Sequence, residues 1–316
     1  MLQQELETGK LFGNLFEAFD DKNFLKSVQL FKNRFENNGF DLQYFKGKKC
    51  LDLGCGGGRY SIALSLLGAA SVVGVDISET GILDAKKRAQ HLNIENISFK
   101  AISGSYLPFK DAMFDCVICS GVLMHMSDPE QSIFEISRVL KRGGMVYLLV
   151  YATEGVRWPL INILRNLTSE LGFEKLNAVL AKSELDVNKR RTYLDDLFVP
   201  VIDFYSELRL RTLLSAHGFN QIDRWKKGRL DHEESIEDYL VDLEKLKHLF
   251  QTGFETTNSQ KILEKELYRS ALEICEGVVQ YVQNIKRLID IKEIERERGE
   301  YLVIGQGHHR LTAIKK

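Results

Sequence analysis

The spacing of apolar residues changes three times along the chain, and each change marks a boundary. Over residues 1–47, Phe16, Phe19, Phe24, Leu30, Phe31 and Phe35 recur at roughly helical intervals, and Asn37-Asn38-Gly39 is a turn signal. From Lys48 to Ala152 short apolar runs alternate with helical stretches. Cys50–Leu53, Ser71–Val75, Ile97–Ala101, Phe114–Cys119 and Met145–Ala152 read as strands. A helix follows the first of them to about Leu67. Ser78 caps the next, whose Ile82, Ala85, Ala89 and Leu92 fall three, four and three residues apart. Asp128-Pro129-Glu130 opens another with a capping carboxylate, a proline in the first turn and an acid beside the helix dipole. That helix is expected to close over Leu140-Lys141-Arg142-Gly143, where basic residues precede a glycine. Strands separated by helices predict a parallel sheet covered on both faces.

Residues 153–205 predict two or three helices, with Val199-Pro200-Val201 as an extended break. Ser206 caps a helix through His217, Gly218 ends it, and Phe219–Lys226 reads as a sixth strand. Residues 231–299 carry almost no strand signal, no proline and a net negative charge. Leu240, Leu243, Leu246 and Phe250 share one helical face, and Gly253–Ser259 reads as a turn. Leu263, Leu267, Ala271, Cys275, Val278, Val282, Ile285 and Ile289 then recur every three or four residues. They predict one long helix of about 60 Å, with Gly277 as its bend point. Tyr301-Leu302-Val303-Ile304 is expected to be the last strand. The predicted architecture is α/β: a doubly wound, mostly parallel seven-stranded sheet with an α-helical insert between the last two strands.

Composition narrows the class. The chain has 316 residues, 44% hydrophobic and 28% charged, which excludes a mainly disordered protein. Its formal net charge of −1 offers no broad basic field for a nucleic-acid backbone. No apolar run reaches the roughly 18–20 residues that span a bilayer. The opening Met1-Leu2-Gln3-Gln4-Glu5 lacks the form of a signal peptide. Five irregularly spaced cysteines do not make a disulfide framework, so the expectation is a cytoplasmic protein with reduced thiols.

The candidate chemistry is concentrated in Leu51-Asp52-Leu53-Gly54-Cys55-Gly56-Gly57-Gly58-Arg59-Tyr60-Ser61, a strand running through glycines into a helix. Glycines let the backbone turn tightly and approach a ligand, and the helix start offers unpaired N–H groups. The spacing is GxGxG. Arg59 stands where the dinucleotide fingerprint needs its third glycine, which disfavours a pyrophosphate ligand and a nicotinamide-dependent oxidoreductase. Asp76 ends the second strand in Val73-Gly74-Val75-Asp76-Ile77-Ser78, and an acid about 20 residues past the glycines can accept from ribose hydroxyls. The pair points to a nucleoside-containing ligand.

The run resembles motif I of the class I S-adenosylmethionine-dependent methyltransferases. Ser103-Gly104-Ser105-Tyr106-Leu107-Pro108-Phe109 is similar to that family's loop after strand three, and Phe114-Asp115-Cys116-Val117-Ile118-Cys119 to its strand four. Gly121-Val122-Leu123-Met124-His125 resembles the turn that follows, and Arg138-Val139-Leu140-Lys141-Arg142-Gly143-Gly144 the approach to strand five. The matches cover about residues 45–152, in order, and resemble most the small-molecule branch that includes quinone-biosynthesis enzymes.

This resemblance implies a Rossmann-like methyltransferase fold, with a core of residues 48–230 and 300–316 and an N-terminal helical segment of 1–47. Residues 153–205 are then a substrate-side helical excursion. Residues 231–299 become an insert that caps the acceptor pocket or forms a homodimer contact. It implies S-adenosylmethionine as cofactor and S-adenosylhomocysteine as product. Gly54, Cys55 and Gly56 would line the methionine part, with Asp52 reaching its amino group. Asp76 would hold the ribose, Ile77 would pack on adenine, and Ser120 would offer its carbonyl. Ser103, with Gly104 and Ser105, stands where the family often has Asp against the adenine amino group. Ser supplies one neutral hydrogen bond there.

A bound sulfonium makes the methyl electrophilic, so alignment and water exclusion dominate and a base is needed only for a protonated acceptor. His125 is the candidate base, with a packing role as its alternative. Tyr106, Tyr151, Tyr205, Asp231 and His232 are candidate acceptor contacts beyond the carboxyl ends of the strands. Cys116 and Cys119 point to opposite faces of a strand and read as core; His308 and His309 also diverge, so no metal is expected. Lys189-Arg190-Arg191 and Arg224–Arg229 read as a solvated face or as partners of the acidic insert. The function expected is methyl transfer to an oxygen or nitrogen of a small molecule, with no membrane partner. The alternatives are an RNA or protein methyltransferase, for which nucleic acid is disfavoured by charge, and a cofactor-binding non-catalytic scaffold.

Overall fold

The computed structural model describes residues 7, 9, 21–183, 185, 187–225 and 235–316. Asp231, His232, Phe16, Phe19 and the basic run after Trp225 lie outside them. Two compact units emerge: Met1–Tyr151 with Pro200–Gly228 and His308–Lys316, and Ala152–Val199 with Arg229–Gly307.

The first unit holds the seven strands: β1 (Lys49–Leu53), β2 (Ser71–Asp76), β3 (Ile97–Ala101), β4 (Phe114–Ser120), β5 (Leu140–Tyr151), β6 (Phe219–Arg224) and β7 (His308–Lys315). Their order is β3-β2-β1-β4-β5-β7-β6. β1 to β5 pair parallel, while β7 runs antiparallel between β5 and β6. The winding direction reverses between β1 and β4, and it is at such a switch point that open α/β sheets bind ligands, in the crevice beyond the carboxyl ends of the strands. Its helices are α1 (Asp21–Asn37), α2 (Arg59–Leu66), α3 (Glu79–His91), α4 (Pro129–Val139) and, later in the chain, Glu207–Ala216. Ser78, Asp128 and Ser206 each accept an N-terminal N–H of the helix they cap. The apolar stripe of α1 is anchored by aromatic contacts. The Phe35 ring lies 4.8 Å from Tyr147 and 4.7 Å from Trp225, and Phe31 lies 4.9 Å from Tyr60.

The structure corrects several boundaries. Helix α4 stops at Val139 instead of running to Gly143. Leu140 already pairs with Phe114, and a register shift before Cys116 absorbs the extra residues, so the basic turn is an irregular start to β5. Tyr301–Ile304 is helix, not strand: it ends Arg296–Ile304, and the last strand begins at His308. Four apolar residues suit either element, and Gly305, at φ 66, stops the helix. β7 was masked by polarity, since His309, Arg310 and Thr312 are all buried in it.

The second unit is helical: α5 (Arg157–Leu171), α6 (Phe173–Lys182), α7 (Val187–Phe198), then, numbering Glu207–Ala216 as α8, α9 (Ile236–Thr256), α10 (Ile262–Asp290) and α11 (Arg296–Ile304). Gly253 does not break α9; it lets the Tyr268 ring lie against the helix, since a Cβ there would stand 2.2 Å from Tyr268 Cε1. The turn comes after Thr256. α10 has 29 residues, about 44 Å at 1.5 Å per residue, so it is shorter than the predicted 60 Å. Lys292, at φ 62, turns the chain back into α11. Among the described residues no helix is long and apolar enough to cross a membrane.

Candidate functional site

The carboxyl ends of β1, β2 and β4 meet around the glycine turn. Gly54 and Cys55 donate their N–H groups to Val75 O at 2.7 and 2.9 Å, which ties the turn to β2. Gly54 has φ 72, and a Cβ on it would fall 2.1 Å from Val122 Cγ2, so both backbone and space require glycine. Asp76 is gripped from two sides: Gly56 N–H donates to Oδ2 and Ser78 N–H to Oδ1, each at 2.8 Å. The carboxylate bridges the turn and the start of α3, and its oxygens keep acceptor capacity for hydroxyl donors.

Asp52 is 2% exposed and accepts from Ser61 Oγ at 2.7 Å. Burial pushes its carboxyl up to about 7. Ser120 Oγ lies 3.4 Å from Tyr60 Oη, which also receives Arg34 Nη1 from α1. Sequence reading missed Arg34 and Tyr60, because a contact across 26 residues leaves no local signal.

The loop after β3 is held from one face of α4. Ser103 Oγ accepts from Ser105 N–H at 3.2 Å. Ser105 is buried, its hydroxyl 3.4 Å from Ser132 Oγ, and its carbonyl accepts from Gln131 Nε2 at 3.2 Å. Leu107 N–H donates to Glu135 Oε2 at 2.7 Å. Arg138 donates to Leu107 O at 2.8 Å, Phe109 O at 2.7 Å and Asp111 Oδ1 at 2.8 Å, while forking onto Glu135. Gly104 faces Met126, whose Cε would stand 2.3 Å from a Cβ there. Tyr106 projects outward, 76% exposed. Ile77 is half-buried.

A second group gathers beyond β4 and β5. His125 is buried, with Nδ1 2.8 Å from Val201 O. A carbonyl only accepts, so Nδ1 carries a proton and donates it to Val201 O. The Tyr151 ring stands edge-on to His125 at 5.7 Å and stacks on His308 at 5.3 Å. Tyr205 donates its N–H to Tyr151 O and is fully buried under the Arg209 guanidinium, 4.5 Å from its ring. His309 turns to the other face and donates Nε2–H to Tyr205 O at 2.8 Å. The structure therefore separates the two histidines and brings His308 beside Tyr151, a neighbour the sequence reading did not assign. Cys116 and Cys119 are fully buried in the core. In the second unit Lys189 pairs with Asp242 of the acidic helices.

Residues 44–183 match the family described as a methyltransferase domain. Among curated proteins, the chain is 29% identical to a demethylmenaquinone methyltransferase of Staphylococcus haemolyticus over 67% of this chain and 85% of that protein. It is 38% identical to a ubiquinone biosynthesis O-methyltransferase of Coxiella burnetii, over 32% of this chain and 43% of that one. A ubiquinone biosynthesis O-methyltransferase of Neisseria meningitidis is 31% identical over 42% of this chain and 58% of its own length. The chain thus spans less than two thirds of the two O-methyltransferases. The matched domain coincides with the strands and glycine turn around the carboxyl ends of β1, β2 and β4, so this part of the chain is similar to a methyltransferase domain, with quinone-biosynthesis methyltransferases among its curated relatives.

Proposed function

We propose that the crevice binds S-adenosylmethionine and that the enzyme methylates an oxygen or nitrogen of a small-molecule acceptor beside His125. The observation that carries the reading is the Asp76 carboxylate, fixed by two backbone N–H groups where a ribose diol would need an acceptor. The residues present fit the cofactor: an immobilised acid, a turn with glycine at 54 and 56–58, and a loop hydroxyl at Ser103. When bound, S-adenosylmethionine supplies a methyl group on a positively charged sulfur.

The chain's own residues then do three things. Asp76 accepts from the ribose hydroxyls while Ile77 packs on adenine and Ser103 meets its amino group. Gly54, Cys55 and Gly56 let the backbone follow the methionine part, and the Ser120 carbonyl accepts from its ammonium. Asp52, which accepts from Ser61 Oγ, reaches the amino group of the methionine part. On the acceptor side His125 receives the proton that a hydroxyl or ammonium must lose, while Tyr151, edge-on to its ring at 5.7 Å, borders the same space. Alignment is the larger part of the task, because a sulfonium needs no further activation. That two curated relatives are named O-methyltransferases supports oxygen as the acceptor atom.

The test is calorimetric titration of wild type and Asp76→Ala with S-adenosylmethionine, S-adenosylhomocysteine and NADH. Binding of the first two, lost in the variant, with no heat from NADH, is the expected result. NADH binding, or unchanged affinity in Asp76→Ala, refutes the site. A panel of phenols, naphthoquinols and amines, read as S-adenosylhomocysteine formation, then identifies the acceptor class.

A further inference from the structure

We propose that Arg138 and Glu135 are positioning residues for the cofactor's base: from α4 they fix the loop that carries Ser103, and so set the preference for adenine. The inference rests on the reading that Ser103 borders the adenine amino group. A serine hydroxyl on a loose loop discriminates poorly, because its one neutral hydrogen bond must also offset the ordering of several residues. The loop here is not loose. Glu135 takes the Leu107 N–H at 2.7 Å, and Arg138 takes the Leu107 and Phe109 carbonyls at 2.8 and 2.7 Å.

The two side chains also lock each other. Arg138 Nε and Nη2 donate to the two Glu135 oxygens at 2.7 and 2.8 Å, a planar fork that a lysine cannot copy. Glu135 is buried, so its carboxylate is committed to these donors. Three backbone groups within six residues of Ser103 are thereby tied to one helix, and that helix is fixed by its apolar face in the sheet core: Ile133, Ile136 and Val139 are fully buried. Order at Ser103 thus comes from α4, which itself contacts no part of the cofactor in this reading.

The experiment compares affinity for S-adenosylhomocysteine with affinity for its analogue carrying purine, without the 6-amino group, in place of adenine. Wild type should prefer adenine by roughly three- to tenfold, the worth of one hydrogen bond. In Arg138→Met the adenine ligand should weaken about tenfold and the preference should fall towards one. Arg138→Lys should lie between. Glu135→Gln, which keeps size and an acceptor for Leu107, should lose part of the preference and serves if Arg138→Met does not fold. Equal weakening of both ligands in these variants, or an unchanged preference, overturns the inference. Asp76→Asn separates this from failure of the site itself: it should weaken both ligands equally, and no loss in it would overturn the underlying reading instead.

Discussion

Asp242 in α9 is the centre of a buried charge cluster in the helical unit, and its substitution should cost more than any surface change there. Its Oδ2 lies 3.6 Å from Arg157 Nη1, and its Oδ1 pairs with Lys189 and accepts from Tyr193 Oη at 2.9 Å. Arg157 also meets Asp196 at 3.4 Å. Side-chain exposures are 11% for Arg157, 17% for Lys189, 10% for Asp242 and 5% for Asp196, so water screens little of the charge. Asp242→Asn keeps the shape and the tyrosine hydrogen bond but leaves both cations facing one carboxylate fewer. Removing one partner of a buried pair costs about 3–5 kcal/mol. Amide exchange should report it as roughly 10²–10⁴-fold lower protection in α5, α7 and α9. Burial alone would raise the Asp242 carboxyl, but the Arg157 and Lys189 charges outweigh it and hold it below the usual range. With the folded value depressed, the stabilisation is present above the unfolded value of about 3.9 and is lost as pH falls through the folded value. The difference between wild type and Asp242→Asn should be constant from pH 6 to 8 and shrink below about pH 4. Asp242→Leu combined with Lys189→Met should recover much of the loss, since apolar replacement of a whole pair is tolerated. A protection change under tenfold at neutral pH, or one that persists undiminished in acid, would refute the reasoning.

Gly54→Ala should abolish cofactor binding by calorimetry, because its Cβ would strike Val122 at 2.1 Å in a left-handed conformation; retained affinity would mean the turn relaxes. Asp52, raised to about 7 by burial, binds its proton more tightly folded than unfolded, so stability should fall as pH rises from about 4 through 7. Thermal melts of Asp52→Asn should lack that part of the slope; an identical slope would assign it elsewhere. His125→Ala should lower turnover at least roughly 10²-fold with cofactor affinity nearly unchanged. An unchanged rate on the acceptor found by screening would leave His125 a packing residue.

The parts of the fold that were legible in sequence are those with local causes. Capping carboxylates and hydroxyls at Asp128, Ser78 and Ser206 start helices where expected. The glycine turn declares itself because three of its residues, Gly54, Gly56 and Gly58, adopt positive φ. What stayed hidden depends on partners far away in the chain. β7 reads as polar because His309 and Arg310 enter the core only with partners supplied by the surrounding fold, Tyr205 O among them. Gly253 looked like a turn because its reason for being glycine, the Tyr268 ring, sits on another helix. The loop clamp was equally hidden: Glu135 and Arg138 look like ordinary surface charges of an amphipathic helix until the 103–109 loop folds over them.

The same physical device recurs at three of the groups assigned a ligand-facing role. Asp76 is held by the Gly56 and Ser78 amides, Ser103 by the Ser105 amide, and His125 by the Val201 carbonyl. A main-chain partner cannot swing away as a side chain can, so each group meets its ligand with its ordering entropy already spent in folding. Methyl transfer from a sulfonium needs a nucleophile in line, and a misplacement of about 1 Å can cost about 10²-fold. It follows that the sensitive positions extend past the residues facing the crevice to those that hold their backbone still. Substituting Val122, which fills the space above Gly54, should damage cofactor binding as surely as substituting Ser103, although its side chain offers no hydrogen bond.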